Sequence, residues 1–179
     1  ADIKNNNKTT ITAKNGLTND GSITNNGQLN IANTGNGEIA LNGTITNSNT
    51  DRNASMIVNN QKGAVNVNGL IANNGKATIT AGNGLTVGKE GVIGNTNSLS
   101  MQNKGANGLT VNGQIDNNGT AIITNKAGEM NINGTINTEK VNENVDVKTS
   151  ITNQGTKLNV SESAKLNNSE TLNVWNSGS

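Results

Sequence analysis

The amino-acid sequence predicts an all-β fold, a parallel β-helix with about 22 residues per coil and three short strands per coil. Three observations predict this fold. Aliphatic residues recur at steps close to 22, they alternate with polar residues at the strand period of two, and Gly or Asn follows each short alternating piece. No useful window of the sequence shows the 3.6-residue period of a helix.

The first column of aliphatic residues lies at steps of 22, 26, 22, 22 and 21 residues: Ile23, Ile45, Ile71, Ile93, Ile115 and Ile136. Gly lies two residues before each of them, at Gly21, Gly43, Gly69, Gly91, Gly113 and Gly134. Asn lies two residues after the first five, at Asn25, Asn47, Asn73, Asn95 and Asn117, and Thr138 follows the sixth. We expect the Gly residues to permit positive φ or close backbone approach, and the Asn amides to stack as a hydrogen-bonded ladder.

A second aliphatic residue follows eight residues after most members of the first column, as Ile123 follows Ile115. After Ile45 the path is longer, to Ile57 or Val58, because the polar segment Ser48 to Arg52 intervenes. This segment is predicted to be a loop that bulges from one repeat.

A third piece, two aliphatic residues separated by one polar residue, completes each unit. The pairs are Ile39/Leu41, Val65/Val67, Leu85/Val87, Leu109/Val111 and Met130/Ile132. Leu17 begins an imperfect copy, because Asn19 occupies its partner position. We expect successive units to stack in register, so that each strand pairs in parallel with its equivalent ~4.8 Å away and the aliphatic columns point inward.

The pattern changes after Ile136. Val145, Val147 and Ile151 follow Met130, Ile132 and Ile136 by only 15 residues. One strand-turn piece is therefore expected to be lost or rearranged there, before Leu166 and Val174 recover the eight-residue step. The chain is expected to be a single β-helix segment over residues 1–179, with regular coils at about 10–138 and less regular ones at 139–179.

The composition fits a thin, repeated core better than an ordinary globular one. Hydrophobic residues make up 30% of the chain, against roughly 45–50% in typical domains, and 40 residues are Asn. A flexible linker has no reason to keep aliphatic residues at a fixed step. The net charge of +1, the scattered Lys and Arg and the single aromatic residue, Trp175, argue against a nucleic-acid partner and against a lectin. No apolar run reaches the ~18 residues of a membrane span.

The sequence offers no candidate for catalysis, cofactor binding or metal binding. It lacks His and Cys, so neither an ordinary zinc site nor a His-based triad is expected. Its 12 acidic residues are scattered, and the only dense set is Glu139, Glu143 and Asp146. We interpret this set as a solvated loop, with a cation or partner site as the alternative. Three Thr-x-Thr pairs, at Thr10, Thr44 and Thr78, are expected at different places in the unit and so form no array. We therefore expect a chain without catalysis, whose ligand-binding residues are unknown.

The repeat phrases resemble those of a known class of bacterial proteins. NGTITN (Asn42 to Asn47), NNGKATIT (Asn73 to Thr80), GLTVNGQIDNNGTAIITN (Gly108 to Asn125) and MNINGTIN (Met130 to Asn137) are similar to the passenger repeats of large exported adhesins. These are filamentous haemagglutinin-like and high-molecular-weight adhesins of two-partner secretion, and β-helical autotransporters. The resemblance covers roughly residues 10–138.

That resemblance implies a right-handed β-helix and a place outside the cell, on the bacterial surface or secreted. The segment would be a stalk in a much larger adhesin that attaches to host cells or biofilm matrix, and an outer-membrane secretion pore would be a partner of the full-length protein. A protein or glycan receptor would be bound by loops such as Ser48 to Arg52 or by domains outside this fragment. Glycosylation is a further implication, at the Asn-x-Ser/Thr positions Asn7, Asn42, Asn53, Asn118, Asn133, Asn159 and Asn167.

Two alternatives to a stalk remain. Pectate lyases and polygalacturonases share the β-helix, so a polysaccharide-active lyase or hydrolase is one of them. A module that binds matrix polysaccharide is the other. An acidic or aromatic column across coils would favour either, and the sequence shows neither.

Overall fold

The computed structural model describes residues 2–48, 54–141, 143 and 145–178. Over these residues the chain is a β-solenoid of about eight turns, with about 22 residues and three strands per coil, and it contains no helix. Each coil contributes one strand to each of three parallel sheets, here called A, B and C. The predicted fold class is confirmed. The right-handed sense of the coil stays a prediction.

Sheet A contains the first strand of each coil, four residues long. Its strands are β1 Asp2–Asn5, β4 Ser22–Asn25, β7 Thr44–Asn47, β10 Leu70–Asn73, β13 Val92–Asn95, β16 Gln114–Asn117, β19 Thr135–Thr138 and β22 Lys165–Asn168. Alternation of β-branched and polar residues suits strands that bury one face only.

Sheet B contains the second strand, six residues long. Its strands are β2 Lys8–Ala13, β5 Gln28–Asn33, β8 Ser55–Asn60, β11 Lys76–Ala81, β14 Ser98–Asn103, β17 Thr120–Asn125, β20 Lys148–Asn153 and β23 Thr171–Asn176. Sheet C contains the third, three residues long. Its strands are β3 Leu17–Asn19, β6 Ile39–Leu41, β9 Val65–Val67, β12 Leu85–Val87, β15 Leu109–Val111, β18 Met130–Ile132 and β21 Leu158–Val160.

The predicted columns form the core. The isoleucines of the first column stand opposite one another in successive strands of sheet A, and each is at most 2% exposed. In sheet B, Val58 stands opposite Ile31 and Ile79 and is fully buried, whereas Ile57 points outward and is 46% exposed. The column continues before the predicted start of the regular coils, because Ile3 pairs with Ile23 and Ile11 with Ile31.

A strand-turn piece was expected to be lost or rearranged after Ile136, and the expectation of a loss is wrong, because the structure has extra residues there. The corner between sheets A and B normally contains two residues, such as 118 and 119, but residues 139–147 separate β19 from β20. The step from Ile136 to its partner Leu166 is therefore 30 residues (166 − 136). Ile151 belongs to sheet B opposite Ile123, and Val147 is buried in the loop. The register resumes in β20, and Leu166 and Val174 occupy the predicted columns.

The glycine column is explained by close approach rather than by positive φ. A Cβ on Gly113 would lie 2.2 Å from the carbonyl oxygens of Gly88 and Gly91, and one on Gly43 would lie 2.0 Å from that of Gly21. The glycines with positive φ lie elsewhere, in turns that lead into strands of sheet C: Gly16, Gly84, Gly108 and Gly128.

Candidate functional site

A buried ladder of Asn side chains runs along the corner between sheets A and B, as predicted. Each amide nitrogen donates to the amide oxygen in the next coil, with N–O distances of 2.6 to 2.8 Å from Asn5 to Asn117. The same nitrogens donate to backbone carbonyls, as Asn95 does to the oxygen of Thr120 at 3.1 Å. Hydroxyl groups continue the ladder, because Asn117 donates to Thr149 Oγ1 at 2.9 Å and Thr138 donates to the same oxygen at 2.7 Å.

A second buried Asn ladder, which the sequence analysis missed, lies at the corner between sheets B and C. Hydrogen bonds of 2.8 Å between side-chain amides join Asn103 to Asn125, Asn125 to Asn153, and Asn153 to the exposed Asn176 of the last coil. Asn33 donates to Asn60 at 3.1 Å. The signal was present, because each of these Asn residues follows an inward aliphatic residue of sheet B by two positions. Ala13 and Ala81 stand at this position in two of the strands, and these two exceptions made the column of Asn residues harder to recognise.

The two Ala interruptions share a local arrangement. In both coils the turn into sheet C contains a glycine with positive φ, Gly16 or Gly84. The amide of Gly16 donates to Asn33 Oδ1 of the following coil at 3.0 Å, and that of Gly84 donates to Asn103 Oδ1 at 2.8 Å. In a turn that has no ladder Asn of its own, an Asn of the following coil therefore accepts the hydrogen bond from the glycine amide.

A polar hollow of about 570 Å³ lies outside this corner. It is lined by Asn36, Glu38, Lys62, Gly63, Ala64, Asn83 and Asn107. Glu38 Oε2 accepts a hydrogen bond from Asn66 at 2.9 Å, and Asn83 Oδ1 accepts one from the amide of Asn107 at 3.0 Å. The hollow therefore presents amide groups, one carboxylate and one ammonium group, but no aromatic side chain.

The position of Glu38 carries no row of acids across the coils. The carbonyl groups of Glu38, Ala64, Gly84, Gly108 and Glu129 each accept from the first amide of a sheet C strand. These five residues therefore occupy equivalent positions in successive coils. Stacking therefore brings Ala and Gly, rather than carboxylates, beside Glu38.

The acidic set Glu139, Glu143 and Asp146 lies in the loop between β19 and β20, and all three side chains are exposed. Within the described part of the chain, no group of three His, Cys, Asp or Glu side chains is placed to hold a metal ion. The polar insert falls at residues 48–52, of which 49–52 lie outside the described residues.

The outer face of sheet B groups residues that the sequence analysis had separated. Thr10 and Thr78 occupy the same outward column, so the expectation that the Thr-x-Thr pairs lie at different places in the unit is wrong for two of the three. Asn30 and Ile57 lie between them and interrupt the array. Trp175 lies on this face in the last strand and is 61% exposed.

One carboxyl group outside these places has a displaced pKa. Ser22 Oγ donates to Asp2 Oδ1 at 2.6 Å, and this bond, helped by the Ser22 amide, holds the pKa of Asp2 below its usual value. Asp2 is fully exposed on sheet A.

Most predicted glycosylation positions are accessible, since Asn7, Asn42, Asn133 and Asn167 have exposed side chains. Asn118 and Asn159 are partly buried, and Asn53 lies outside the described residues.

A second, apolar hollow of about 340 Å³ lies at the β1–β3 end of the stack. Its walls include Ile3, Ile11 and Leu17, which are partly buried members of the inward columns. This hollow is therefore the end of the hydrophobic core at the first strands of the stack.

Comparison with known proteins gave no relative. No protein-family model, no curated protein and no solved structure matched the chain. A search of the described residues for a helix able to cross a bilayer also found none.

Proposed function

We propose that this chain is a rigid stalk segment of a large bacterial surface or secreted adhesin, and that its role is structural rather than catalytic. The proposal rests on the resemblance of its repeats to adhesin passengers and on one structural observation. That observation is the unbroken parallel register of all three sheets, reinforced inside by two Asn ladders.

A stacked solenoid of this kind resists bending, because each coil contacts its neighbours through backbone and side-chain bonds at once. Eight strands in one sheet span about 34 Å along the axis at ~4.8 Å per step. The chain thus gains length in proportion to the number of coils, which is what a stalk requires.

An exchange of surface residues in the full-length protein tests the stalk role. Outward residues of the three sheets are replaced by Ser and Thr, while inward residues, ladder Asn and corner Gly are kept. A stalk should keep cell or matrix attachment at the parental level, and the purified variant should keep a β-type circular dichroism spectrum. Loss of attachment by a variant that is still folded would overturn the proposal.

The hollow at the corner between sheets B and C favours a second candidate, a module that binds matrix polysaccharide. Its amides, Glu38 and Lys62 are groups that hydrogen-bond to sugar hydroxyl and carboxylate groups. The test is retention on immobilised exopolysaccharide. Loss of retention in Glu38→Gln and Lys62→Gln, with retention kept in Lys76→Gln on the outer face of sheet B, would support this candidate. Equal retention of all three variants would contradict it.

A further inference from the structure

Eleven Asn-Gly dipeptides occur in the chain, and they differ in how the structure holds them. Asn-Gly is the dipeptide at which spontaneous deamidation is fastest, because Gly offers no side chain to hinder attack by its amide nitrogen on the Asn amide carbon. The attack requires an amide nitrogen that is free to lose its proton and to turn toward that carbon. A glycine amide committed to a hydrogen bond in the folded state must first open locally.

Five of the glycine amides donate to backbone carbonyls. Gly43 donates to Asn19 at 2.8 Å, and Gly69 to Leu41 at 2.9 Å. The other three are Gly108, Gly113 and Gly134, whose bonds range from 2.9 to 3.3 Å.

Five more donate to the side-chain oxygen of a buried ladder Asn. These are the amides of Gly16, Gly27, Gly75, Gly84 and Gly119, at 2.8 to 3.3 Å. The two ladders therefore protect five of the eleven dipeptides from deamidation.

The remaining dipeptide, Asn36-Gly37, is different. The amide of Gly37 donates no hydrogen bond to any described residue, although its carbonyl accepts from Asn33 at 2.7 Å and Asn60 at 2.8 Å. Asn33 Oδ1, the ladder oxygen that precedes this turn, accepts from the amide of Gly16 in the preceding coil. The Asn36 side chain is exposed to water in the polar hollow.

We propose that Asn36 is a deamidation site in the folded protein and the fastest of the eleven. Gly37 N loses its proton to solvent base and bonds to Asn36 Cγ. The Cγ–Nδ2 bond then breaks, and Nδ2 takes up a proton and leaves as ammonia. Water then opens the succinimide at either carbonyl and gives aspartate or isoaspartate. The product adds one negative charge beside Glu38 and Lys62, and the formal net charge of the chain falls from +1 to 0.

Incubation of the folded chain at mildly alkaline pH, followed by peptide mapping by mass spectrometry, tests this proposal. We expect a gain of about 1 Da at Asn36, at a rate at least roughly tenfold above that of each of the other ten dipeptides, whose amides must open before they react. The same incubation in guanidinium chloride should bring the eleven rates together, because no amide is then held.

Two variants and one independent measurement sharpen the test. Asn36→Gln should remove the rapid loss of ammonia, because a longer side chain closes the ring slowly, whereas Asn42→Gln should leave it unchanged. Gly37 itself is not replaced, because a Cβ there would lie 2.2 Å from the backbone of Asn15. Native-state hydrogen exchange should be faster at the Gly37 amide than at that of Gly43. Equal native rates at Asn36 and Asn42, or a faster rate at another dipeptide, would overturn the proposal.

Discussion

At the scale of single residues, the buried Asn side chains are the unusual feature of this protein. A buried amide without partners costs about 1–3 kcal/mol per group, and this chain buries a series of Asn side chains along its corners. Most amide oxygens in the ladders accept a hydrogen bond from the amide nitrogen of the adjacent coil, as Asn95 accepts from Asn73 and Asn125 accepts from Asn103. A residue that is poorly suited to a core thus becomes a repeated link between coils.

Replacing Asn95 tests the strength of one link. Asn95→Ala removes the bonds to Asn117 and Thr120, and it leaves the Asn73 amide without its 2.8 Å acceptor. We expect the free energy of unfolding to fall by about 1–3 kcal/mol for each buried group that loses its partner. Urea denaturation followed by circular dichroism measures it.

Asn30→Ala is the matched control for this loss. Asn30 lies on the outer face of sheet B, and its side chain makes no hydrogen bond to the described residues. Its replacement should change stability by no more than about 0.5 kcal/mol. Equal losses in the two variants would contradict the importance of the ladder.

At the scale of strands and corners, the glycines decide how closely two coils approach. Gly113→Ala would place a methyl group 2.2 Å from two carbonyl oxygens of the preceding coil. We expect this change to destabilise the protein by well over about 1 kcal/mol, because backbone atoms have no room to yield. The midpoint of urea unfolding should drop accordingly.

Gly94 offers the opposite case within a neighbouring strand. It points outward from β13, and a Cβ there meets nothing within 4 Å. Gly94→Ala should be neutral or stabilise by about 0.4–1 kcal/mol, because it restricts only the unfolded chain. A Gly94→Ala variant as unstable as Gly113→Ala would show that close approach is not what selects glycine at the corner.

At the scale of the whole molecule, stability is expected to vary along the stack. A coil in the middle has a neighbour on each side, so its inward side chains are fully covered, as Ile115 is. Leu166, in the last strand of sheet A, is only partly buried against the core. In a stacked repeat protein, the energy of each coil depends on its immediate neighbours.

The same truncation at the two positions measures this gradient. Ile115→Ala should cost about 2–5 kcal/mol, as expected for a fully buried aliphatic residue. Leu166→Ala should cost clearly less, because water already reaches part of its side chain. Thermal or urea unfolding of both variants checks this prediction, and it would be wrong if Leu166→Ala cost as much.

Much of the architecture could be predicted from the sequence because its signals are local. The step from Ile71 to Ile93 to Ile115, with a Gly before and an Asn after each, specifies strand, corner and inward column within about 22 residues. Parallel stacking follows, since it is the arrangement that covers the inward face of every unit. The ladder from Asn25 to Asn117 follows from the same repetition.

The tertiary structure alone decided which residues of different coils stand opposite one another, because loops of unequal length separate the strands. The additional residues between β19 and β20 shift the apparent spacing, so the sequence indicated a lost or rearranged piece where the structure has a longer loop. Thr138 stands in the ladder position opposite Asn117, but the Asn117 amide donates to the hydroxyl of Thr149, which folding brings beside it from 32 residues away. The amide of Gly37, which donates to none of the described residues, is another feature that only the folded structure shows. Local pattern determined the coil, and contacts between coils determined which polar groups are satisfied and which are left to react.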